Sequence, residues 1–435
     1  MPVEPLVVAR DQHTLSRRDV DPDALKVLYR LKDAGFSAYL VGGGVRDLLL
    51  GRRPKDFDIG TDAHPYQIKK LFRNCWIIGR RFRLAHVVFG KKVIEVATFR
   101  RQVTDDEIAE AKAAAESGAA PASGQVPTSG PVPAVDDPQH PIHRDNTFGT
   151  AEEDAFRRDF RINALFYDIA TFSVIDYVGG LEDLHAKVVR CIGTPEVRFR
   201  EDPVRMQRAI SFGARLEFEV DQPILDAIAQ HRGEIAKAAP PRLMDEYYKI
   251  LRTGCARRTF EALKRVGLFE PLSDVLHKNA GETLWASLDR LDAYRRRFSG
   301  PPDTLTNSLL LGSLIVPLGF SQGAWPVWLE HGEKPGLNLG LLPLARKDVE
   351  RIHQVLLMLR RLREPSRSPN ARRMLVQRPA FADALTWLEI HADTPELLTY
   401  WRAEAGAGEP ATESSPASPA SSRRRRRRRR GPRPA

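Results

Sequence analysis

The 435-residue sequence predicts an α/β head with a small mixed β-sheet, followed by an all-helical neck and body and a disordered, arginine-rich tail. Short apolar segments flank a glycine-rich turn between residues 37 and 59, as strands around a turn would. From residue 196 onward apolar residues recur at helical spacing, whereas the last 33 residues are rich in proline, serine and arginine. The predicted parts are a flexible N-terminal extension (1–20), head (21–195), neck (196–265), body (266–402) and tail (403–435).

The composition is typical of a soluble protein from a reducing compartment. Hydrophobic residues make up 42% of the chain and charged residues 28%. Cys75, Cys191 and Cys255 are too far apart in sequence to suggest a zinc site or a disulfide framework. The longest apolar run, residues 309–320, is too short to cross a bilayer and predicts a buried helix. We therefore expect a cytoplasmic protein without a membrane partner.

The positive charge of the chain is concentrated at its C-terminal end. The formal net charge is +11, and nine arginines of the tail account for most of it, which leaves about +2 for all other residues. Such a tail predicts a polyanionic partner, most simply RNA, bound without regard to sequence. The predicted RNA-binding run consists of Arg423, Arg424, Arg425, Arg426, Arg427, Arg428, Arg429 and Arg430.

The elements of the head follow from capping and apolar patterns. Asp21 as N-cap and Pro22 at the first helical position begin a helix that Gly35 ends. After the glycine-rich stretch, the pattern predicts a helix and then three strands, two of them paired in a hairpin. These elements are Pro65–Phe72, Trp76–Gly79, Phe82–Phe89 and Val93–Phe99.

A glycine turn is the first candidate for chemistry. Ser37–Val41 predicts a buried strand, and Gly42 and Gly43 let the backbone turn sharply into a helix over Val45–Leu50. A helix N-terminus reached through glycines presents free N–H groups to a phosphate. Arg46, in the first turn, could pair with that phosphate. A run of glycines alone is a weak signal.

Two carboxylates follow closely. In a strand, Asp56 and Asp58 would point to the same side, where each would resist ionisation unless a cation lay between them. A D-x-D pattern alone is usually a pair of solvent-exposed aspartates without a ligand. A phosphate-binding turn and paired carboxylates within one strand–turn–helix–strand unit favour a two-Mg²⁺ phosphoryl-transfer site.

These residues resemble a known family. The run V-G-G-G-V-R-D-L-L-L-G followed by K-D-F-D is similar to the bacterial nucleotidyltransferases that include CCA-adding enzymes and poly(A) polymerases. The stretch I-I-G-R-R-F-R-L-A-H-V, residues 77–87, resembles the poly(A) polymerase subgroup more closely. Its Arg80, Arg81 and Arg83 are predicted RNA contacts, although a basic exposed strand would look the same.

The resemblance implies a third carboxylate and a ribose site. It places Glu95 beside Asp56 and Asp58 as a metal ligand, where the competing interpretation is an edge-strand glutamate that reaches water. The motif R-R-D-F-x-I-N-A matches residues 157–164, within a segment whose spacing predicts a helix over 152–165. By resemblance, ribose hydroxyls contact Asp159 and Asn163, and the triphosphate contacts Arg157 or Arg158.

The neck carries the implied base-recognition motif. The family pattern E-D-x-x-R falls on Glu201, Asp202 and Arg205, and Arg208 shares the face of Arg205. By resemblance these side chains read the incoming base, although Asp202 could be only the N-cap of a helix that starts at Pro203. Two positions depart from the family pattern, Gln207 in place of leucine and Ser211 in place of arginine. Further helices are predicted over Arg242–Arg252, Arg258–Val266, Asp348–Leu362 and Pro379–His391.

Two connecting segments complete the prediction. The pattern D-x-x-G-G-x-x-D-L at residues 176–184 matches the family's joint between head and neck, and its adjacent glycines predict a hinge or a plain turn. Residues 188–192 are predicted to form the last strand of the head. Residues 107–142 are rich in alanine, proline, serine and glycine and predict a flexible insert without a specific role.

The expected function is template-independent addition of AMP from ATP to RNA 3′ ends, with two Mg²⁺ ions and release of pyrophosphate. Expected RNA partners are mRNA, regulatory RNA or defective tRNA, and a link to RNA-decay machinery is a further expectation. CCA addition to tRNA is the alternative enzyme. A catalytically idle RNA-binding protein is a second alternative, which the carboxylate triad of Asp56, Asp58 and Glu95 disfavours.

Overall fold

The computed structural model describes residues 4–79, 83–102, 147–319, 339–364, 368–392 and 394–406. Arg80, Arg81, the insert 107–142 and the arginines of the tail lie outside the described residues, so the predictions made for them stay predictions. The chain divides into two compact units, residues 1–353 and 354–435.

The described part of the head is built on an eight-stranded mixed sheet, as predicted. Its strand order is β1-β10-β9-β2-β3-β6-β5-β4, and β3 runs parallel to β6 while the other neighbours are antiparallel. The strands are β1 Leu6–Val8, β2 Ala38–Val41, β3 Asp58–Thr61, β4 Cys75–Ile78, β5 Leu84–Phe89, β6 Lys92–Thr98, β9 Leu165–Asp168 and β10 Ser173–Asp176. Two-residue strands pair elsewhere, β7 Arg100–Arg101 with β8 Thr147–Phe148, and β11 Val188–Val189 with β12 Glu219–Val220.

Helices of the head form where caps and apolar spacing predict them. The helices are α1 Pro22–Asp33, α2 Gly43–Leu49, α3 Pro65–Leu71, α4 Ala151–Phe156 and α5 Gly180–Ala186. The carboxylate of Asp21 accepts hydrogen bonds from the N–H groups of Asp23 and Ala24, which confirms the predicted cap. A buried aromatic cluster behind the glycine turn includes Phe99 and Phe166, whose rings lie 6.2 Å apart.

The N-terminal segment is ordered, contrary to the prediction of a flexible extension. Residues 6–8 form an edge strand of the main sheet, paired with β10. Leu15 and Val20 are buried, at 1% and 3% exposure. The segment therefore caps one edge of the sheet, a long-range pairing that its irregular local pattern could not signal.

The predicted helix over residues 152–165 is wrong beyond Phe156. The chain leaves the helix because the Asp159 carboxylate accepts the N–H of Phe160, and the Arg161 N–H donates to the carbonyl of Arg190. Phe160 bridges to Cys191, and Leu165 opens a strand of the main sheet. Of residues 188–192, predicted to be the last strand of the head, only Val188–Val189 form a strand, and it pairs with Glu219–Val220 of the neck. Cys191 forms the bridge to Phe160.

The proposed hinge at residues 176–184 is a locked corner. Oxygens of the buried Asp176 carboxylate accept hydrogen bonds from four successive N–H groups, those of Val178, Gly179, Gly180 and Leu181, at 2.8–3.0 Å. A Cβ atom at Gly180 would overlap the carbonyl oxygen of Arg161. The two glycines thus permit a close approach of two backbone segments and do not provide free rotation.

The neck and body are helical, as predicted, apart from the short strand β12. Helices within the first unit are α6 Pro195–Glu201, α7 Val204–Leu216, α8 Gln222–His231, α9 Pro240–Leu251, α10 Ala256–Arg265, α11 Asp274–Asn279, α12 Glu282–Arg296 and α13 Asn307–Ile315. Then follow α14 Arg346–Leu362, α15 Pro369–Val376, α16 Ala380–His391 and α17 Pro395–Gly406. The last helix continues four residues past the predicted start of the tail. No helix among the described residues is long and apolar enough to span a membrane.

Candidate active site

The glycine turn has the conformation that the sequence predicts. Gly42 is the N-cap of α2 with φ +73°, in the region that disfavours residues with a Cβ atom. A Cβ atom there would lie 2.8 Å from Nη1 of Arg158, so the turn and this guanidinium are in close contact. A cation therefore stands beside the N–H groups at the start of α2.

Two of the three predicted metal-binding carboxylates, Asp58 and Glu95, lie on neighbouring strands. The parallel register pairs Ile59 with Val96, and Asp58 and Glu95 directly precede that pair. Both side chains are exposed, and Asp56 lies in the loop just before β3. The face of β6 that carries Glu95 also carries the exposed Val93, so this part of the face is open to solvent.

The charges of Glu95 and Asp56 both act on Asp58. Partial desolvation by the surrounding protein, then the negative charges of Glu95 and Asp56, raise the pKa of Asp58 to about 6, although Arg158 opposes the shift. Asp56 and Glu95 each have a basic neighbour. The Lys55 ammonium lies 3.1 Å from Asp56, and Nε2 of His86 lies 3.6 Å from Glu95.

This donor set fits Mg²⁺ in part. Among the described residues, no three His, Cys, Asp or Glu side chains are close enough to form a ready-made metal cage. Carboxylate oxygens are nevertheless the ligands that Mg²⁺ prefers, and protein ligands to Mg²⁺ are commonly completed by substrate phosphates. A cation would also relieve the repulsion that raises the pKa of Asp58.

A buried carboxylate holds both arginines of the predicted triphosphate pair. Asp154 is 3% exposed, and its oxygens accept from Nε of Arg157 at 2.8 Å and from Nη2 of Arg158 at 2.9 Å. Burial opposes ionisation of Asp154, but the two guanidinium groups outweigh it and lower its pKa. Arg158 also donates to the carbonyl of Asn163, at 3.0 Å. Of the two arginines, Arg158 is the one that contacts the Gly42 turn, and its charge also acts on Asp58.

The two predicted ribose ligands contact each other. Asn163 Nδ2 donates to Asp159 Oδ1 at 3.1 Å, and the other oxygen of Asp159 accepts from Nε of Arg208 at 2.8 Å. Burial opposes ionisation of Asp159, yet Arg208 and Asn163 outweigh it and lower the pKa. The neck arginine therefore keeps this carboxylate charged.

The sequence suggested that Arg46 pairs with a phosphate, but its guanidinium is buried and bonds to protein groups. Its side chain is 2% exposed, and its guanidinium donates to Asp47 and to Oδ1 of Asn163. Burial lowers the pKa of Arg46 to about 10, while Asp47 acts in the opposite direction. Arg46 therefore orients the amide of Asn163, with its oxygen toward Arg46 and its nitrogen toward Asp159.

The side chains of Asp202 and Arg205 of the predicted base-reading motif do not pair with each other. Asp202 accepts two hydrogen bonds from Arg242 of α9, at 2.7 and 3.1 Å. Arg205 donates to Glu201 at 3.0 Å. Helix α7 starts at Val204 with Pro203 as its N-cap, one residue later than predicted, although Asp202 still accepts the N–H of Val204 at 3.3 Å.

Several residues of this region were missed from the sequence. Asp154 lies three and four residues before its arginines, a helical spacing that could have revealed it. Arg242 and Arg198 could not be found this way, because their partners are distant in sequence. Arg198 is 5% exposed and donates to the carbonyls of Arg157 and Arg158, both at 2.6 Å, which fixes the head motif to the first neck helix. Arg83 lies within the described residues, and no contact found there links it to an RNA site, so its predicted RNA contact stays a prediction.

Comparison with known proteins agrees with this geometry. Residues 38–190 match the family described as "Poly A polymerase head domain", and residues 217–278 match "Probable RNA and SrmB- binding site of polymerase A". Poly(A) polymerase I of Salmonella typhimurium is 37% identical over 93% of this chain and 86% of its own length. The CCA-adding enzyme of Lactobacillus helveticus is 34% identical over 69% of this chain and 65% of its own length.

Solved structures give the same fold. The Bacillus stearothermophilus CCA-adding enzyme in complex with CTP has a TM-score of 0.60 and 25% sequence identity. The match covers 89% of this chain and 83% of that enzyme. The likeness therefore extends beyond the head into the helical part of the chain.

Proposed function

We propose that this chain, which belongs to the family of RNA nucleotidyltransferases that comprises bacterial poly(A) polymerases and CCA-adding enzymes, adds AMP from ATP to RNA 3′ ends without a template and releases pyrophosphate. The observation that carries the proposal is the placement of Asp58 and Glu95 on neighbouring parallel strands, with the guanidinium of Arg158 against the glycine turn. Polyadenylation is favoured over CCA addition because the poly(A) polymerase match spans 93% of the chain.

The carboxylates are proposed to serve the reacting groups. Asp56, Asp58 and Glu95 would hold two Mg²⁺ ions, whose bound charge lowers the pKa of the RNA 3′-hydroxyl and offsets the charge of the triphosphate. The chain itself positions this site through the β3–β6 register. Lys55 neutralises Asp56 in part, and the imidazole of His86 lies beside Glu95.

The other residues hold ATP. Gly43 would present its N–H group at the start of α2, while Gly42, whose own N–H donates to the carbonyl of Leu165, provides the turn. Arg158 adds a guanidinium beside this turn for the triphosphate. Asp159 and Asn163 accept and donate hydrogen bonds to the ribose hydroxyls, which distinguishes ATP from dATP. Arg157 and Arg46 act behind them as positioning residues, through Asp154 and Asn163.

Base selection is proposed to lie in the neck. Asp202 and Arg205 would offer acceptor and donor groups to the adenine edge, and their present partners, Arg242 and Glu201, set the directions of those groups. Arg208 contributes through Asp159. A protein surface would thus replace a nucleic-acid template.

The proposed partners are RNA 3′ ends of mRNA, regulatory RNA or defective tRNA. A role in mRNA processing and RNA decay follows from this chemistry, because an unstructured tail offers a start point to exonucleases. The match of residues 217–278 to a family segment described as a probable RNA and SrmB binding site supports RNA binding by this part of the chain. An association with RNA-decay machinery is part of the proposal. The arginine tail and Arg80, Arg81 and Arg83 would add affinity for RNA without sequence preference.

The test compares turnover with RNA affinity. Asp56→Ala should abolish incorporation of labelled AMP into a generic RNA, whereas RNA affinity measured without Mg²⁺ stays within about twofold of wild type. Asp33→Ala, an exposed aspartate at the end of α1, is the matched control and should retain full turnover. If Asp56→Ala still extends RNA, or if the wild type does not, the proposed catalysis is wrong.

CCA addition is the second candidate. It is favoured by CCA-adding relatives at 34% identity and by the fold shared with the Bacillus stearothermophilus enzyme. The carboxylate chemistry would be the same, and the two candidates differ only in primer and in the use of CTP. Incorporation of CTP into a tRNA that lacks its 3′ end distinguishes them.

A further inference from the structure

A basic cavity lies on the head, away from the carboxylates. It has a volume of about 510 Å³ and is lined by Arg10, Ser16, Arg17, Arg18 and Phe172. Four of these residues belong to the N-terminal segment that the sequence predicted to be flexible. The fifth belongs to the turn between β9 and β10.

The cavity and the candidate active site are at opposite ends of the sheet. Leu165, at the start of β9, accepts the Gly42 N–H and pairs with Asp176, so this end adjoins the glycine turn. Asp168 pairs with Ser173 at the other end, and Phe172 directly precedes Ser173. The length of the strand pair, roughly 10 Å at about 3.4 Å per residue, separates the two ends.

The cavity carries uncompensated positive charge. Within the described ranges, the guanidinium groups of Arg10, Arg17 and Arg18 form no ion pair with a carboxylate. The contacts present are a hydrogen bond from Arg10 to the carbonyl of His13, at 3.1 Å, and a cation–π contact of Arg17. Most arginines of the active-site region, by contrast, are paired with aspartate or glutamate. Three arginines left without a carboxylate around one cavity favour an anionic ligand.

An aromatic ring completes the cavity. Phe172 has φ +55°, a strained backbone conformation for a bulky residue, and its carbonyl accepts from Nε2 of His13 at 2.9 Å. Its ring lies 5.5 Å from the guanidinium carbon of Arg17. Guanidinium groups beside an aromatic face are the combination that binds phosphates and stacks on bases of single-stranded nucleic acid.

Two buried polar atoms adjoin this wall. Among the described residues, Tyr167 OH and His13 Nδ1 have no hydrogen-bond partner, and the two rings are 6.1 Å apart in an edge-to-face arrangement. His13 contacts Phe172, but neither His13 nor Tyr167 lines the cavity itself.

We propose that this arginine cavity binds the phosphodiester backbone of RNA upstream of the 3′ end, with Phe172 stacking on a base. The inference rests on the proposed function, because it assumes an RNA substrate that is long enough to reach both ends of the sheet. The cavity anchors the RNA and takes no part in the chemistry. It therefore affects long primers and not short ones.

The test measures RNA affinity without turnover. Fluorescence anisotropy with a labelled RNA of about 25 nucleotides, in EDTA and without ATP, compares the wild type with the triple variant Arg10→Gln/Arg17→Gln/Arg18→Gln. The matched control is Lys69→Gln/Lys70→Gln/Arg73→Gln, which removes three exposed charges of the same head. The cavity variant should lose about tenfold or more in affinity, and its slope of log K against log salt should fall by about 2. An equal, small effect in both variants would overturn the proposal.

Phe172→Asn separates stacking from charge. Asparagine tolerates the left-handed backbone region, so the turn keeps its shape while the ring is lost. The variant should bind the long RNA several-fold more weakly with an unchanged salt slope. Unchanged affinity for RNA would contradict the stacking role.

Primer length distinguishes the anchor from a free-nucleotide site. With ATP and Mg²⁺, the cavity variant should raise KM for the long primer, leave kcat unchanged and extend a primer of about six nucleotides normally. Loss of ATP binding together with intact RNA affinity would identify a free-nucleotide site and overturn the proposal. A wild type that extends neither primer, yet binds long RNA through the cavity, would contradict the proposed function and not the RNA site.

Discussion

Arg208 of the neck donates a hydrogen bond from Nε to one oxygen of Asp159 in the head at 2.8 Å, and its Nη2 lies 2.6 Å from the same oxygen in an ion pair. The other oxygen of Asp159 accepts from Asn163, whose amide is turned by the buried Arg46. The implied ribose site is thus assembled across two parts of the chain. Its charge state depends on an arginine 49 residues away in sequence.

Replacing that arginine should weaken both fold and site. Arg208→Gln leaves Asp159 as a largely buried charge without its cation, a change that typically costs about 3–5 kcal/mol. Urea unfolding should report this loss, and KM for ATP should rise. Arg258→Gln is the control, because its pair with Glu217 is exposed on both sides and should contribute less than about 1 kcal/mol. Equal stability of the two variants would argue against a structural role for the Asp159–Arg208 pair.

The raised pKa of Asp58 predicts a pH dependence of metal binding. Because its pKa lies at about 6, above the ordinary 3.8, a proton competes with Mg²⁺ below that pH, and affinity should fall as the pH drops through 6. Titration calorimetry of Mg²⁺ in the presence of a non-hydrolysable ATP analogue measures this.

The same shift affects stability in the absence of metal. The protonated carboxyl is favoured in the folded state, so this contribution is present below about pH 4 and is lost as the pH rises through 6. Asp58→Asn should therefore remove the pH dependence of stability in this window and abolish tight metal binding. A wild-type affinity that is flat between pH 5 and pH 7 would contradict the raised pKa.

The locked corner predicts a strong effect of one methyl group. Gly180→Ala places a Cβ atom on the carbonyl oxygen of Arg161 and should push residues 160–164 away, at a cost of about 1–3 kcal/mol or more. Thermal melting and KM for ATP should both change, since Asn163 lies in the displaced segment.

A glycine without neighbours provides the comparison for Gly180. A Cβ atom at Gly233 meets no heavy atom within 4 Å, and its φ is not positive. Gly233→Ala should be neutral or stabilise by up to about 1 kcal/mol. If both alanine variants melt at the same temperature, the corner is a hinge after all.

Gln207 predicts a stabilising substitution. Its side chain is 1% exposed, and within the described part of the chain neither its amide nitrogen nor its oxygen has a hydrogen-bond partner. Leucine, the residue usual in the family at this position, has a similar volume and no polar atoms. Gln207→Leu should stabilise the protein by about 1–3 kcal/mol, seen as a higher Tm, with AMP incorporation unchanged. A lower Tm would mean that the amide is satisfied by water or has a role in packing.

Local patterns were sufficient to predict much of the fold. The strand, glycine turn and helix over residues 38–49 and the hairpin of β5 and β6 depend on neighbours in sequence, and the structure confirms them. The helical neck and body are also confirmed, because amphipathic spacing is a local signal.

Long-range pairing explains what the sequence did not reveal. The helix predicted to continue to Leu165 ends early because Arg161 and Phe160 bond to residues about 30 positions away. The order of residues 6–8 likewise comes from β10, far along the chain. The contact of Arg242 with Asp202 spans 40 residues and leaves no local trace.

Polyadenylation is tested most directly by a competition between two RNAs in one reaction. A generic RNA ending in A and a tRNA lacking its terminal CCA are incubated with the protein, Mg²⁺, ATP and CTP, and the products are sequenced. If the protein is a poly(A) polymerase, long runs of A should appear on the generic RNA, with CTP used little or not at all. Addition confined to the tRNA and stopping after C, C and A would contradict it and identify a CCA-adding enzyme.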